Sequence, residues 1–259
     1  HGFWLRQYGI DGAYVRLPVR PENLAYVMAG LPDKGFIGWN VTVPHKEAAL
    51  AGVTEVDPAA ARIGAVNTVS VRRDGTTVGS NSDGFGFLEN LRDGAPGWDP
   101  SAGPAVLVGA GGAAKAVAWA LADAGAPHLR ILNRTAARAL ELATAIGPAA
   151  TVVPWEDRTR ALEGAALVVN ATSLGMTGQP QLDLSLESLP NNAVVNDLVY
   201  VPEVTALLDA ALARGNPTVG GIGMLLHQGR SGFAVWFGVE PEVTQELRDF
   251  VCAGLNESA

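Results

Sequence analysis

The chain has 259 residues, 48% of them apolar, enough to bury one large core or two modest ones, and two domains is the expectation. Its 18 Lys and Arg against 26 Asp and Glu give a net charge of −8 with no basic cluster, which excludes nucleic acid as an expected partner and leaves any anionic ligand to local donors. Cys252 is the only cysteine, no Cys/His spacing suggests a metal site, and no apolar run reaches the ~18 residues of a membrane span, so a soluble, cytoplasmic protein is expected.

In chain order, residues 13–19 (AYVRLPV) alternate like a strand, Pro21 opens a helical stretch to Leu31, and residues 35–43 are strand-like again. A short helix is expected from Pro44, then β-rich runs at 65–72 and 76–81 joined by the hairpin signal Asp74-Gly75, then a helix near Asp83. The Gly- and Pro-dense segment 94–104 reads as the linker between domains. After it come a buried strand, a glycine turn, an Ala-rich helix, the strand LRILNR and a helix through Ile146, which together make a βαβ unit. Runs at 166–170 and 193–198 are too uniformly apolar to face water and suit central parallel strands. A helix at 203–214, a short run at Thr218 and two final helices separated by the turn at 238–241 complete the pattern. The expected architecture is α/β throughout. A substrate domain at 1–98, completed by the C-terminal helices at 224–259, flanks a Rossmann-like doubly wound parallel-sheet nucleotide domain at 99–223, and the cleft between them is the expected site.

Gly109, Gly111, Gly112 and Ala113 follow an apolar strand and open a helix, the context that a dinucleotide turn requires. Glycines there let the backbone approach a pyrophosphate, and the helix start offers unpaired N–H groups. The next strand ends in Asn133, Arg134 and Thr135, with Arg138 one turn later, where an NAD site would carry an acid. Guanidiniums and a hydroxyl instead suit the 2′-phosphate of NADP, the alternative being ordinary solvated residues at a helix start.

In the N-terminal part, NVTVPHK places Lys46 in the expected first turn of a helix, a position that the helix dipole makes unfavourable for a cation. The cluster NSDG again ends a strand and starts a helix, and read by itself makes Asp83 an N-cap.

Taken together, GWNVTVPHK, GAVNT, GSNSDGFG, GAGGAAKA, NRTAAR, NATSLGM and GIGMLLHQG resemble, in order, the motifs of the shikimate dehydrogenase family, over nearly the whole chain. The resemblance implies an oxidoreductase that uses NADP to interconvert 3-dehydroshikimate and shikimate, acting as a monomer or homodimer. It implies a catalytic pair at Lys46 and Asp83 and substrate ligands at Thr42, Asn67, Tyr200 and Gln228. It further implies cofactor contacts at Asn170, Thr172, Ser173, Met176, Gly221 and Met224, with Gly221 leaving room for the nicotinamide ring. His45 and His227 adjoin these motifs and are assigned no chemistry. Two departures stand out. The family's opening strand, with a Ser-x-Ser-Pro motif that holds the substrate carboxylate, would precede His1, and NSD stands where NTD is usual. Quinate or aminoshikimate dehydrogenases share the same pair, and a non-catalytic nucleotide-binding regulator would be expected to have lost it.

Overall fold

The computed structural model describes residues 1–256. The chain divides into two compact units, one made of His1–Asp83 with residues 226–256, the other of Gly84–Leu225.

The first unit opens with helix α1 (Gly2–Gln7), and a 3-10 turn at Pro21–Asn23 leads into helix α2 (Leu24–Gly30). Its four-stranded sheet is made of β1 (Gly38–Asn40), β2 (Glu55–Val56), β3 (Thr68–Val71) and β4 (Thr77–Ser80), in the order β1-β3-β4-β2. β3 and β4 form the hairpin that Asp74-Gly75 signals, with Gly75 at φ 85° in its turn. Helix α3 (Pro58–Ile63) is capped by Asp57, whose carboxylate accepts from the Ala60 N–H at 2.6 Å. Leu24, Met28, Val41, Ala49, Ala60, Val66 and Val69 form the core.

Two expected elements take another form. Residues 13–19 form no regular element and pair with no strand among the described residues, and most are exposed, because alternation specifies a face and not a hydrogen-bonding partner. The helix expected at Pro44 does not begin there. Residues 44–47 are turns, and a 3-10 helix follows at Ala48–Gly52, so Lys46 is not in the first turn of an α-helix and the dipole argument does not apply to it.

Helix α4 (Asp83–Gly94) leads into the turns of 95–104. The second unit is a parallel six-stranded sheet of β5 (Ala105–Val108), β6 (Leu129–Leu132), β7 (Ala150–Val152), β8 (Leu167–Asn170), β9 (Val194–Asp197) and β10 (Thr218–Val219), ordered β10-β9-β8-β5-β6-β7. This is the doubly wound order in which chain direction reverses beside the first strand, here between β5 and β8. Helices α5 (Gly112–Asp123), α6 (Ala136–Ile146) and α7 (Ala206–Ala213) are the crossovers. Both sheet faces are covered, which explains the uninterrupted apolar strands: Leu107, Ile131 and Val169 pack on one side, and Val106, Leu132 and Val168 on the other.

Helix α8 (Ile222–Phe237) starts in the second unit and ends in the first, and α9 (Gln245–Asn256) follows in the first. There the Trp236 Nε1–H donates to the Val69 carbonyl at 3.0 Å and the Trp4 Nε1–H to the Glu242 carbonyl at 3.0 Å. Among the described residues no helix is long and apolar enough to cross a membrane.

Candidate active site

Lys46 and Asp83, 37 residues apart, meet in the first unit. Lys46 Nζ donates to Asp83 Oδ1 at 2.9 Å and to Oδ2 at 2.6 Å. The lysine side chain is 14% exposed and the aspartate side chain 1%, so the carboxylate is sealed and the ammonium is reached from one side. An ammonium has three donors, and with two turned to Asp83 one remains for a ligand oxygen. Asp83 does not cap its helix: the Asn81 carboxamide oxygen accepts from the Asp83 N–H at 3.0 Å, and this leaves the carboxylate for Lys46. Asn81 is itself held by its donation to the Ala65 carbonyl at 2.8 Å.

Asn67, at the start of the β3 hairpin and 2% exposed, organises the pair. Its amide group donates to Asp83 Oδ1 at 2.9 Å and lies 3.1 Å from Ser82 Oγ and 3.3 Å from Gln228 Oε1. Its carbonyl oxygen accepts from the Ser82 N–H at 3.0 Å and from the Thr68 hydroxyl at 2.9 Å. The Asn67 side chain is therefore spent on protein partners. Gln228 presents its carboxamide oxygen to Asn67 and, among the described residues, keeps its amide N–H groups without a protein partner, and Thr42 is exposed with its hydroxyl equally uncommitted there.

Sequence reading missed the continuation of this network. The Asn40 amide donates to the Asn67 carbonyl at 3.2 Å and to the Thr68 hydroxyl at 3.1 Å, and its oxygen accepts from the Tyr14 hydroxyl at 2.8 Å. A polar chain thus runs Tyr14, Asn40, Thr68, Asn67, Asp83, Lys46. Tyr14 lies in the exposed stretch at 13–19, where alternation points to a strand and away from a functional hydroxyl. The His45 ring nitrogen Nε2 lies 2.9 Å from the Val19 carbonyl.

In the second unit, Gly109 has φ 120°, and a Cβ there would meet the Ala171 carbonyl oxygen at 3.0 Å and Thr172 Cγ2 at 3.2 Å. A Cβ on Gly111 would meet nothing within 4 Å, so the next turn opens to solvent, and no side chain caps α5. Gly112 and Ala113 begin that helix, whose first N–H groups lack intrahelical acceptors. At the end of β6 the Asn133 amide donates to the Thr135 carbonyl at 2.8 Å, while Arg134, Thr135 and Arg138 are exposed. Neither arginine makes an ion pair or side-chain hydrogen bond among the described residues. Unpaired N–H groups and exposed guanidiniums beyond the carboxyl ends of β5 and β6 fit a phosphorylated dinucleotide.

The family model for the shikimate dehydrogenase substrate binding domain matches residues 1–69, and that for shikimate / quinate 5-dehydrogenase matches residues 100–177. The shikimate dehydrogenase (NADP(+)) of Paramagnetospirillum magneticum is 59% identical over 251 residues, 97% of this chain and 91% of the relative. The chain belongs to the shikimate dehydrogenase family. It is accordingly an enzyme of the oxidoreductase class. Among solved structures, shikimate 5-dehydrogenase of Thermus thermophilus in complex with NADP(H) and shikimate is similar at 40% identity and TM-score 0.83, over 93% of this chain and 88% of that one. Quinate dehydrogenase of Corynebacterium glutamicum in complex with NAD is similar at 34% identity and TM-score 0.82, over 89% and 82%.

Within this shikimate dehydrogenase family member, other motif residues differ in their freedom to act. Thr172 is half-buried, Ser173, Met176 and Tyr200 are exposed, and Met224 is buried in the core of the second unit. Asn170 is fully buried and its side chain engaged by the protein. At Gly221 the constraint is the backbone itself: a Cβ would lie 2.2 Å from the Leu198 carbonyl oxygen and 2.8 Å from that of Val199. Gly221→Ala is expected to destabilise the fold by about 1–3 kcal/mol or more, the usual range for overpacking, and to lower the thermal midpoint. A variant that melts with the wild type would contradict this close approach.

Proposed function

We propose that the chain catalyses the NADPH-dependent reduction of 3-dehydroshikimate to shikimate, a step toward chorismate and the aromatic amino acids, in the cytoplasm. The single observation that carries the reading is the Lys46 ammonium held on a buried Asp83 with one donor left over. When bound, the dinucleotide supplies the hydride that the ketone carbon requires.

The chain's own residues do the rest. As negative charge develops on the C3 oxygen, Lys46 Nζ donates to it and delivers a proton, and Asp83 keeps the ammonium aimed. Asn67 locks Asp83 in place, and the free amide of Gln228 and the hydroxyls of Thr42 and Tyr200 are donors for ring substituents. The Tyr14 hydroxyl, whose proton goes to Asn40, offers an acceptor at the far end of the same chain. The glycine turn of Gly109, Gly111 and Gly112 holds the pyrophosphate at the start of α5, and Arg134, Thr135 and Arg138 hold a 2′-phosphate.

The test is NADPH oxidation with 3-dehydroshikimate beside 3-dehydroquinate, each repeated with NADH. Turnover highest with 3-dehydroshikimate and NADPH supports the assignment. A preference for 3-dehydroquinate would make this a quinate dehydrogenase, and no turnover on either would remove the catalytic reading.

A further inference from the structure

The buried carboxylate of Asp197 has no part in the proton transfer described above. It ends β9 with no solvent exposure, and three donors converge on it. Oδ1 accepts from the Asn170 amide at 2.9 Å and the Val199 N–H at 3.0 Å, and Oδ2 accepts from the Thr205 hydroxyl at 2.6 Å. Burial pushes the Asp197 carboxyl above the usual carboxylate range, and the hydrogen bonds from Thr205, Val199 and Asn170 pull the other way. An apolar residue would incur no such penalty, so the group's use must lie in what it holds.

It holds two loops. Through Asn170 it reaches the loop after β8: the same amide donates to the Leu174 carbonyl at 3.0 Å, while the Asn170 oxygen accepts from the Thr172 N–H at 3.1 Å and the Thr172 hydroxyl at 2.7 Å. That loop touches the glycine turn, since the Ala171 carbonyl and Thr172 Cγ2 are the atoms a Cβ on Gly109 would meet. Through the Val199 N–H it fixes the loop after β9, whose Leu198 and Val199 carbonyls close on Gly221. Thr205, the N-cap of α7, ties both loops to a rigid helix.

We propose that Asp197 is a positioning residue for the dinucleotide: one carboxylate sets the spacing between the Gly109 turn and the Gly221 turn. The inference rests on the functional reading above, in which the Gly109 turn holds the dinucleotide, and on the family resemblance that puts Gly221 beside the nicotinamide. Asp197→Asn keeps the shape and the oxygen that both loops share, but it removes the charge that strengthens the bonds from Asn170 and Val199 and turns the atom facing the Thr205 hydroxyl from acceptor to donor, so the hold on both loops weakens.

The test is calorimetric binding of NADPH and, separately, of shikimate to the full chain, for wild type, Asp197→Asn, Thr205→Val and Thr205→Ser. Asp197→Asn is expected to raise the Kd for NADPH about tenfold, equivalent to ~1.4 kcal/mol, with the Kd for shikimate unchanged. Thr205→Val should shift NADPH binding in the same direction by less, and Thr205→Ser, which retains the hydroxyl, should restore it. If Asp197→Asn does not fold, the Val and Ser pair decides. Unchanged NADPH affinity in the folded variants, or equal weakening of both ligands, would overturn the proposal and leave the functional reading intact. A wild type that binds shikimate but no NADPH would overturn both.

Discussion

Lys46→Ala is expected to lower kcat by about 10²–10⁴-fold, the usual contribution of a positioned acid or base, while the Kd for NADPH stays at the wild-type value. The asymmetry follows from the site: Lys46 and Asp83 belong to the first unit, and the glycine turn and both arginines to the second. Removing the lysine also strips a sealed carboxylate of its charge partner and leaves, among the described residues, the Asn67 amide on it, so some stability is lost as well. Lys46→Met, which keeps the apolar stem, separates the two effects: its kcat should fall as far as that of the alanine variant. Folded Lys46 variants that retained kcat within a few-fold of wild type would show that the ammonium delivers no proton.

The double variant Arg134→Ala, Arg138→Ala is expected to weaken NADPH binding by roughly a hundredfold and leave NADH binding nearly untouched. Both guanidiniums, one just after β6 and one in the first turn of α6, are exposed and unpaired among the described residues, so their loss disturbs no internal bond and the fold should be unaffected. Phosphate recognition by such side chains is screened by salt, and the NADPH preference of the wild type should therefore narrow as ionic strength rises. Equal losses for the two dinucleotides would place the 2′-phosphate elsewhere.

Much of this was legible in the residues. Parallel strands buried on both faces declare themselves through runs such as AVLV and LVVN, and the glycine turn through its place between strand and helix. The Lys46 and Asp83 pairing came from resemblance, because no periodicity brings together side chains 37 positions apart. Three features were hidden for physical reasons. Residues 13–19 alternate without a strand to pair with, and Tyr14 within them joins the active-site network through Asn40. The turns after Pro44 carry no helix, so a local dipole argument misjudged the surroundings of Lys46. Asp197 sits in a run that reads as a plain core strand with a polar end, and its three donors come from segments up to 27 residues away.

The claim on which the rest depends is that a substrate hydroxyl docks against Lys46 and Asp83, and a crystal structure of the chain with shikimate tests it without any cofactor. The predicted result is the C3 oxygen within hydrogen-bond reach, about 2.7–3.1 Å, of Lys46 Nζ. Shikimate bound away from both side chains, with Lys46 still locked on Asp83, would contradict it.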